Sequence, residues 1–301
     1  MPRPRTIVRH RNHRKAAPST VDEFFPLLEL PAELRNRVYE YVLVAPRDMK
    51  MVWFAGVNRR RKPIMFEVSD DENSEYPFNP MPYVCRQLRD EIAGLEIRFN
   101  SVLFDSSPRP KGGALYGLAM FTGLCTPPKL LWLTHIIVDK LSDSPTGERA
   151  STGPEWMAGH IEALRGLFVF SAQNKHVRID LRMPGFTMTT RSRDFIATGI
   201  ILTRVFRGTD LSRVDHGVDD IAKYDNIISH LFGAGRMGFE KLARAATNLR
   251  VYPDGRRLRH IKFRVRMLLG WEDTSVGVAY IQGGGAEAWT VQAREWIECG
   301  I

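Results

Sequence analysis

The spacing of apolar residues near the start of the chain predicts an amphipathic helix. Leu30, Leu34 and Val38 recur every four residues, and mainly charged or polar residues fill the positions between them. Pro31 suits the first helical position, where its missing N–H would have no partner, and the pattern stops before Pro46. We therefore expect one helix between these prolines, with Tyr41 or Val42 continuing its apolar stripe.

The pattern then changes to two short apolar segments and back to helical spacing. Residues 50–54 and 63–68 predict strands joined by a basic turn, which together form an inserted β-hairpin followed by an acidic loop. Residues 82–99 predict a second helix, and residues 101–104 predict a strand. The stripe of the second helix comprises Val84, Leu88, Ile92, Leu95 and Phe99.

Beyond residue 106, strand-like and helical segments are mixed, which predicts an α+β fold. The predicted strands are 133–140, 176–182 and 259–268, and the predicted helices are 156–168, 219–232, 239–249 and 286–299. We expect three parts: a disordered basic arm over 1–22, a helical module with the inserted hairpin over 23–105, and an α+β domain over 106–301 that binds a substrate or partner.

Composition restricts the class of protein. With 44% hydrophobic and 26% charged residues, the chain of 301 residues has enough apolar surface for one or two cores. Its three cysteines form no C-x-x-C pair, which argues against a disulfide framework and a zinc site. There is no run of about eighteen apolar residues and no secretory leader. We expect an intracellular protein of the nucleus or cytoplasm, with no membrane partner.

The formal charge of +9 is concentrated in two segments. Residues 1–20 carry six basic residues and no acidic one, which fits a nuclear localisation signal, a nucleic-acid-binding arm or a solvated tail. In 259–268, basic residues alternate with apolar ones and would form the cationic face of a strand, able to bind nucleic acid or an acidic protein segment, or simply solvated. This predicted basic surface comprises Arg256, Arg257, Arg259, Lys262, Arg264 and Arg266.

Two motifs carry a resemblance to a known family. The segment LPAELRNRVYEYVL (30–43) resembles the first helix of an F-box, and VCRQLRDE (84–91) followed by Asn100 and Phe104 resembles the continuation seen in fungal F-box-like proteins, most of them uncharacterised. Together the motifs cover about residues 27–105. The resemblance implies docking on the Skp-type linker subunit of a cullin ubiquitin ligase, with the C-terminal domain recruiting an unknown protein substrate. The docking residues would be Leu27, Leu28, Leu30, Pro31, Leu34 and Val38.

The insertion between the motifs leaves a second interpretation, in which both helices are only structural and the chain has no ligase role. A nuclear nucleic-acid-associated protein, using the basic arm and the cationic strand, is a third. Gly233, Gly235 and Gly238 satisfy the dinucleotide pattern G-x-G-x-x-G, but a predicted helix rather than a strand precedes them, which favours a helix–helix hinge. The eight histidines show no metal-binding spacing. We predict no catalytic residue, no metal and no cofactor, and therefore a protein that is not an enzyme.

Overall fold

The computed structural model describes residues 26–45, 48–53, 64–68, 79–105, 113–139, 161–187, 192–208, 236–254 and 285–301. Tertiary contacts divide the chain into two units, Met1–Tyr41 and Val42–Ile301. In the first unit, a 3-10 turn at Leu27–Glu29 precedes helix α1, Ala32–Leu43, whose last residues belong to the second unit. The helix begins directly after Pro31, as predicted, and Glu33 lies in its first turn, where a negative charge is favourable.

The described strands of the second unit form a six-stranded sheet. Its order along the sheet is β2-β1-β3-β4-β5-β6, in which β1 and β2 are antiparallel and every other pair is parallel. The strands are β1 Met49–Trp53, β2 Ile64–Val68, β3 Val102–Phe104, β4 His135–Val138, β5 Arg178–Thr187 and β6 Leu249–Asp254. The predicted hairpin is thus confirmed as β1–β2, and mixed helices with a mainly parallel sheet confirm the α+β class.

Helices connect the parallel strands, because a parallel pair cannot be joined by a tight turn. They are α2 Arg86–Ile92, α3 Glu96–Phe99, α4 Gly113–Leu124, α5 Pro127–Leu130, α6 Ile161–Gln173, α7 Ser192–Arg207, α8 Arg236–Ala245 and α9 Gly285–Cys299. Strand β3 pairs with β4 across residue 105, so the sheet includes residues on both sides of the predicted module boundary. The domain limits themselves stay a prediction.

The main core lies between these helices and one face of the sheet. Alternate residues of the strands, such as Ile136 and Val138 in β4, are buried in it. Phe168 of α6 is fully buried, with its ring 5.4 Å from that of Phe206 in α7 and 5.0 Å from that of Phe239 in α8. This aromatic cluster joins three helices and makes edge contacts of the favourable T-shaped kind.

The predicted second helix is broken into pieces. Pro82 lies in a 3-10 turn at Met81–Tyr83, and Gly94, with a φ of 88°, lies between α2 and α3. A positive φ is inexpensive only for glycine and ends a right-handed helix. The stripe is therefore only partly buried: Leu88 and Ile92 are core residues, whereas Val84 is exposed.

Other differences from the predicted elements have local causes. Helix α4 was not predicted; it begins at Gly113, since apolar residues at helical spacing follow and pack in the core. Helix α7 and strand β6 were not predicted, and the helix expected over 239–249 ends at Ala245, so that Leu249 opens β6. The predicted helix at 219–232 and strand at 259–268 lie outside the described residues.

Candidate functional site

The predicted docking residues lie on the 3-10 turn and on α1, and none of them is fully buried. Leu28 and Leu34 are 38% and 47% exposed, Pro31 is also exposed, and Leu27, Leu30 and Val38 are half-buried. Large apolar side chains with this exposure are unusual when they occur together on a short segment. We call these six residues the docking segment.

The buried side of α1 is not the predicted stripe. Tyr39 and Leu43, four residues apart, are the buried residues of the helix, whereas Tyr41 and Val42 are exposed. Sequence spacing identified the stripe predicted to dock, but it did not identify Tyr39 and Leu43 as a second stripe that is buried. The stripe through Leu30, Leu34 and Val38 is the more accessible one.

A side chain within the same unit fixes the shape of the docking segment. Nη1 of Arg35 donates a hydrogen bond of 2.6 Å to the Leu30 carbonyl and another of 3.3 Å to the Leu28 carbonyl. The N–H groups of Leu34 and Arg35 both donate to the Pro31 carbonyl, at 3.0 Å. These bonds hold the 3-10 turn on the first turn of α1, so the exposed leucines project from a preorganised backbone.

The second motif has a structural role in the fold. Cys85 is the N-cap of α2, where its Sγ accepts a hydrogen bond of 3.5 Å from the Leu88 N–H, and the Leu88 side chain is buried. Arg86 and Gln87 instead pair on the surface with Asp90 and Glu91, respectively. The motif residues thus combine a helix cap and a core contact with a solvated face.

The Asn100 side chain forms hydrogen bonds with backbone groups at and after the ends of helices. Its Nδ2 donates to the carbonyls of Leu43 and Glu96, at 2.6 and 2.7 Å, and its Oδ1 accepts from the Ala45 N–H at 2.6 Å. The side chain is buried, so each of these backbone groups would lack a partner without it. The resemblance to F-box-like proteins therefore includes a residue whose observed role is to satisfy the ends of two helices.

A network of polar side chains lies on the face of the sheet opposite the core. Ser101 Oγ lies 2.7 Å from His135 Nδ1, and His135 Nε2 lies 2.9 Å from Asp180 Oδ2. Arg178 donates two bonds of 2.9 Å to the Asp180 carboxylate and one of 3.1 Å to the Tyr252 hydroxyl. Beside this network, Arg182 Nη1 donates to Asp139 Oδ2 at 2.7 Å.

The types of the bonded groups determine which atoms of this network donate hydrogen bonds and which accept them. A carboxylate only accepts, so Nε2 of His135 donates to Asp180, and in a ring with one N–H the other nitrogen, Nδ1, would accept from the Ser101 hydroxyl. Burial of Asp180 raises the pKa of its carboxyl, but the hydrogen bonds from His135 and Arg178 outweigh burial and lower that pKa below its ordinary value. The carboxylate is therefore ionised at neutral pH.

The hydrogen bonds that connect Ser101, His135 and Asp180 follow the order of a hydrolase catalytic triad. The position of the serine in the fold, however, differs from that of such enzymes. The nucleophile of such enzymes on parallel sheets stands on a sharp turn that follows a strand, whereas Ser101 precedes β3. Arg178 also binds the carboxylate through two bonds, which weakens its ability to stabilise a charged histidine. The geometry is that of a cross-strand polar ladder, and the absence of enzymatic activity stays a prediction.

Sequence reasoning missed this ladder, although a signal was present. In residues 178–182, Arg-Ile-Asp-Leu-Arg, the alternation places three charged side chains on one face of the predicted strand. A basic surface at residues 256–266 was instead predicted from the sequence. The latter residues lie outside the described part of the chain, as do the basic arm, Gly233 and Gly235, whereas Gly238 lies in α8.

Comparison of the chain with models of known protein families, with curated proteins and with solved structures finds no match in any of the three. Among the helices that the structure describes, none has the length and apolar character needed to cross a bilayer.

Proposed function

We propose that this protein is a non-enzymatic, F-box-like adaptor of the cell interior, nuclear or cytoplasmic. Its docking segment would bind the Skp-type linker subunit of a cullin ubiquitin ligase, and the α+β part would recruit a protein substrate. The resemblance of residues 30–43 and 84–91 motivates this proposal.

The observation that carries the proposal is the exposure of Leu28, Pro31 and Leu34 on a backbone fixed by Arg35. Helix-in-groove recognition needs apolar anchors that are accessible before binding and rigid enough to lose little entropy on binding. Burying a leucine side chain contributes about 1.5–3 kcal/mol. Several such anchors would provide the centre of a binding interface.

A pull-down of the full chain with purified linker subunit tests the proposal. Wild type should be retained, and Leu34→Asp should lose retention, because a carboxylate would be desolvated at the interface. Leu131→Asp serves as the matched control, since Leu131 is also exposed but lies far along the chain, in the turn after α5. Equal retention of wild type and Leu34→Asp, or of neither, would refute the docking claim.

A further inference from the structure

Two adjacent strands place arginine side chains on the face of the sheet opposite the core. Along β5, Arg178, Asp180 and Arg182 alternate with buried Ile179 and Leu181. In the parallel pairing with β6, Asp180 lies beside Arg250, and Arg182 lies beside Tyr252. Paired residues of neighbouring strands point to the same face, so these groups share one surface.

On this surface, the negatively charged side chains are more deeply buried than the positively charged ones. The side chain of Asp180 is 12% exposed, whereas that of its partner Arg178 is 51% exposed. Likewise, the side chain of Asp139 is 10% exposed and that of Arg182 is 35% exposed. Each carboxylate therefore lies below its guanidinium, and the face presents positive charge outward.

The arginines retain donors for a ligand. Arg178 uses Nε and Nη2, and Arg182 uses Nη1, in their bonds to the part of the chain that the structure describes. A guanidinium carries five N–H donors, so both side chains keep N–H groups that are not used. The Tyr252 hydroxyl accepts from Arg178 and keeps its own proton to donate.

A second observation indicates positive potential at the β6 end of the surface. Burial lowers the pKa of Arg207 below its ordinary value, and the nearby charge of Arg250 lowers it further. An anionic group bound near Arg250 would reduce this repulsion. The positive charges of Arg207 and Arg250 therefore lie near each other at this end of the surface.

We propose that Arg178, Arg182, Arg250 and Tyr252, here called the arginine face, bind an acidic peptide segment of a partner protein through its carboxylate side chains. The carboxylates of Asp180 and Asp139 hold the Arg178 and Arg182 guanidiniums in place before binding, which favours planar, bidentate recognition. This inference deepens the proposed function and rests on it only for the statement that the bound segment belongs to a ligase substrate.

The arrangement favours a peptide over a nucleic acid. A phosphate backbone needs a continuous run of positive charge, whereas here two carboxylates alternate with the arginines. Stacking of bases needs exposed aromatic rings, and among the described residues of this face the aromatic one, Tyr252, is half-buried. Carboxylates spaced along an extended peptide match the alternation better.

The test measures fluorescence anisotropy of a labelled peptide of eight glutamates binding to the full chain. A peptide of eight glutamines and a single-stranded oligonucleotide of equal charge serve as comparison probes. We expect the glutamate peptide to bind at least tenfold more tightly than either probe. Tighter binding of the oligonucleotide, or equal binding of the two peptides, would overturn the proposal.

Paired variants locate the binding. Arg178→Gln with Arg182→Gln should weaken glutamate-peptide binding at least tenfold. Arg165→Gln with Arg244→Gln removes the same charge from helices α6 and α8, where both arginines are also exposed and ion-paired, and should change binding less than twofold. Equal losses in both double variants would mean non-specific charge attraction and would overturn the proposal.

A measurement on the wild type covers the case in which the first double variant does not fold. Phenylglyoxal modifies accessible arginines, and mass spectrometry reports each modified site. The glutamate peptide should protect Arg178 and Arg182, and the glutamine peptide should not. Unchanged modification at both residues would overturn the proposal. Because none of these probes includes the linker subunit, the outcome is independent of whether the docking segment binds it.

Discussion

Apolar side chains are buried in the core beneath the sheet, whereas those of the docking segment are partly exposed. In the core, Phe168, Ile136 and Val138 are wholly inaccessible to solvent, and they pack between helices and strands. In the docking segment, the leucines are held in a fixed backbone yet remain partly or largely exposed. The first set therefore stabilises the fold, whereas the second is accessible to solvent.

The polar ladder on the far face of the sheet is intermediate between these two regions. It is largely buried at Asp180 and increasingly exposed toward the arginines. Substitutions in the core, the ladder and the docking segment should therefore change the free energy of unfolding by successively smaller amounts.

The largest effect is expected for Phe168→Ala. Removing a fully buried ring that contacts Phe206 and Phe239 leaves a cavity among three helices. We expect the free energy of unfolding to fall by about 3–5 kcal/mol, measured by urea denaturation followed by circular dichroism. A loss below about 1 kcal/mol would contradict the description of this cluster as the centre of the core.

The next effect concerns close packing of α7 against α9. A Cβ added to Gly199 would overlap the Trp296 ring, which is itself buried, so one of the two must move. Gly199→Ala should lower the free energy of unfolding by about 1–3 kcal/mol in the same urea experiment.

Gly166 provides the matched control for that substitution. It lies in α6, and a Cβ added there meets nothing within 4 Å. Gly166→Ala should raise the free energy of unfolding by about 0.4–1 kcal/mol, since alanine reduces the entropy of the unfolded chain. Destabilisation of similar size by both substitutions would contradict a specific effect of the contact with Trp296.

A smaller and pH-dependent effect is expected for the ladder. The lowered pKa of Asp180 means that its ionised form stabilises the fold above its unfolded pKa, near the ordinary value of 3.8, and that this contribution is lost as pH falls through the still lower folded pKa. Asp180→Asn should therefore destabilise the protein at pH 5, and the difference from wild type should shrink toward pH 3. Urea denaturation at both pH values measures it, and a difference that grows with acidification would contradict the assignment.

The smallest effect on stability is expected for Leu34→Asp. Because Leu34 is nearly half exposed, the free energy of unfolding should change by no more than about 0.5 kcal/mol. Thermal or urea denaturation checks this expectation. A loss of several kcal/mol would mean that Leu34 belongs to the interior, and it would remove the basis of the docking proposal.

Local patterns predicted part of this fold because they reflect local physics. Pro31 placed the start of α1 correctly, and short apolar segments located the hairpin and parts of β4 and β5. Helix α4 was missed since Gly112 and Gly113 are typical of loops, and its burial depends on contacts with β3, β4 and α6, which spacing does not reveal. The break at Gly94 was hidden by an apolar stripe that continues through it.

The candidate sites, like the fold, could be predicted only where the signal is local in the sequence. The docking segment could be named from sequence because its motif is contiguous, but which of the two stripes of α1 is buried depends on tertiary contacts. The ladder joins Ser101, His135, Asp180 and Tyr252 from different strands, up to 151 positions apart in this numbering. The charge alternation along 178–182 indicates which face these side chains share, but the strand order determines their partners on other strands.

The central claim is that the docking segment binds the linker subunit through its exposed leucines, and a binding isotherm tests it most directly. Purified linker subunit is titrated into the full-length wild type, Leu34→Asp and the Leu131→Asp control, with circular dichroism confirming that all three are folded. We predict saturable binding to wild type and the control, and binding at least tenfold weaker to Leu34→Asp. No binding to the folded wild type, or equal affinity for all three proteins, would contradict the claim.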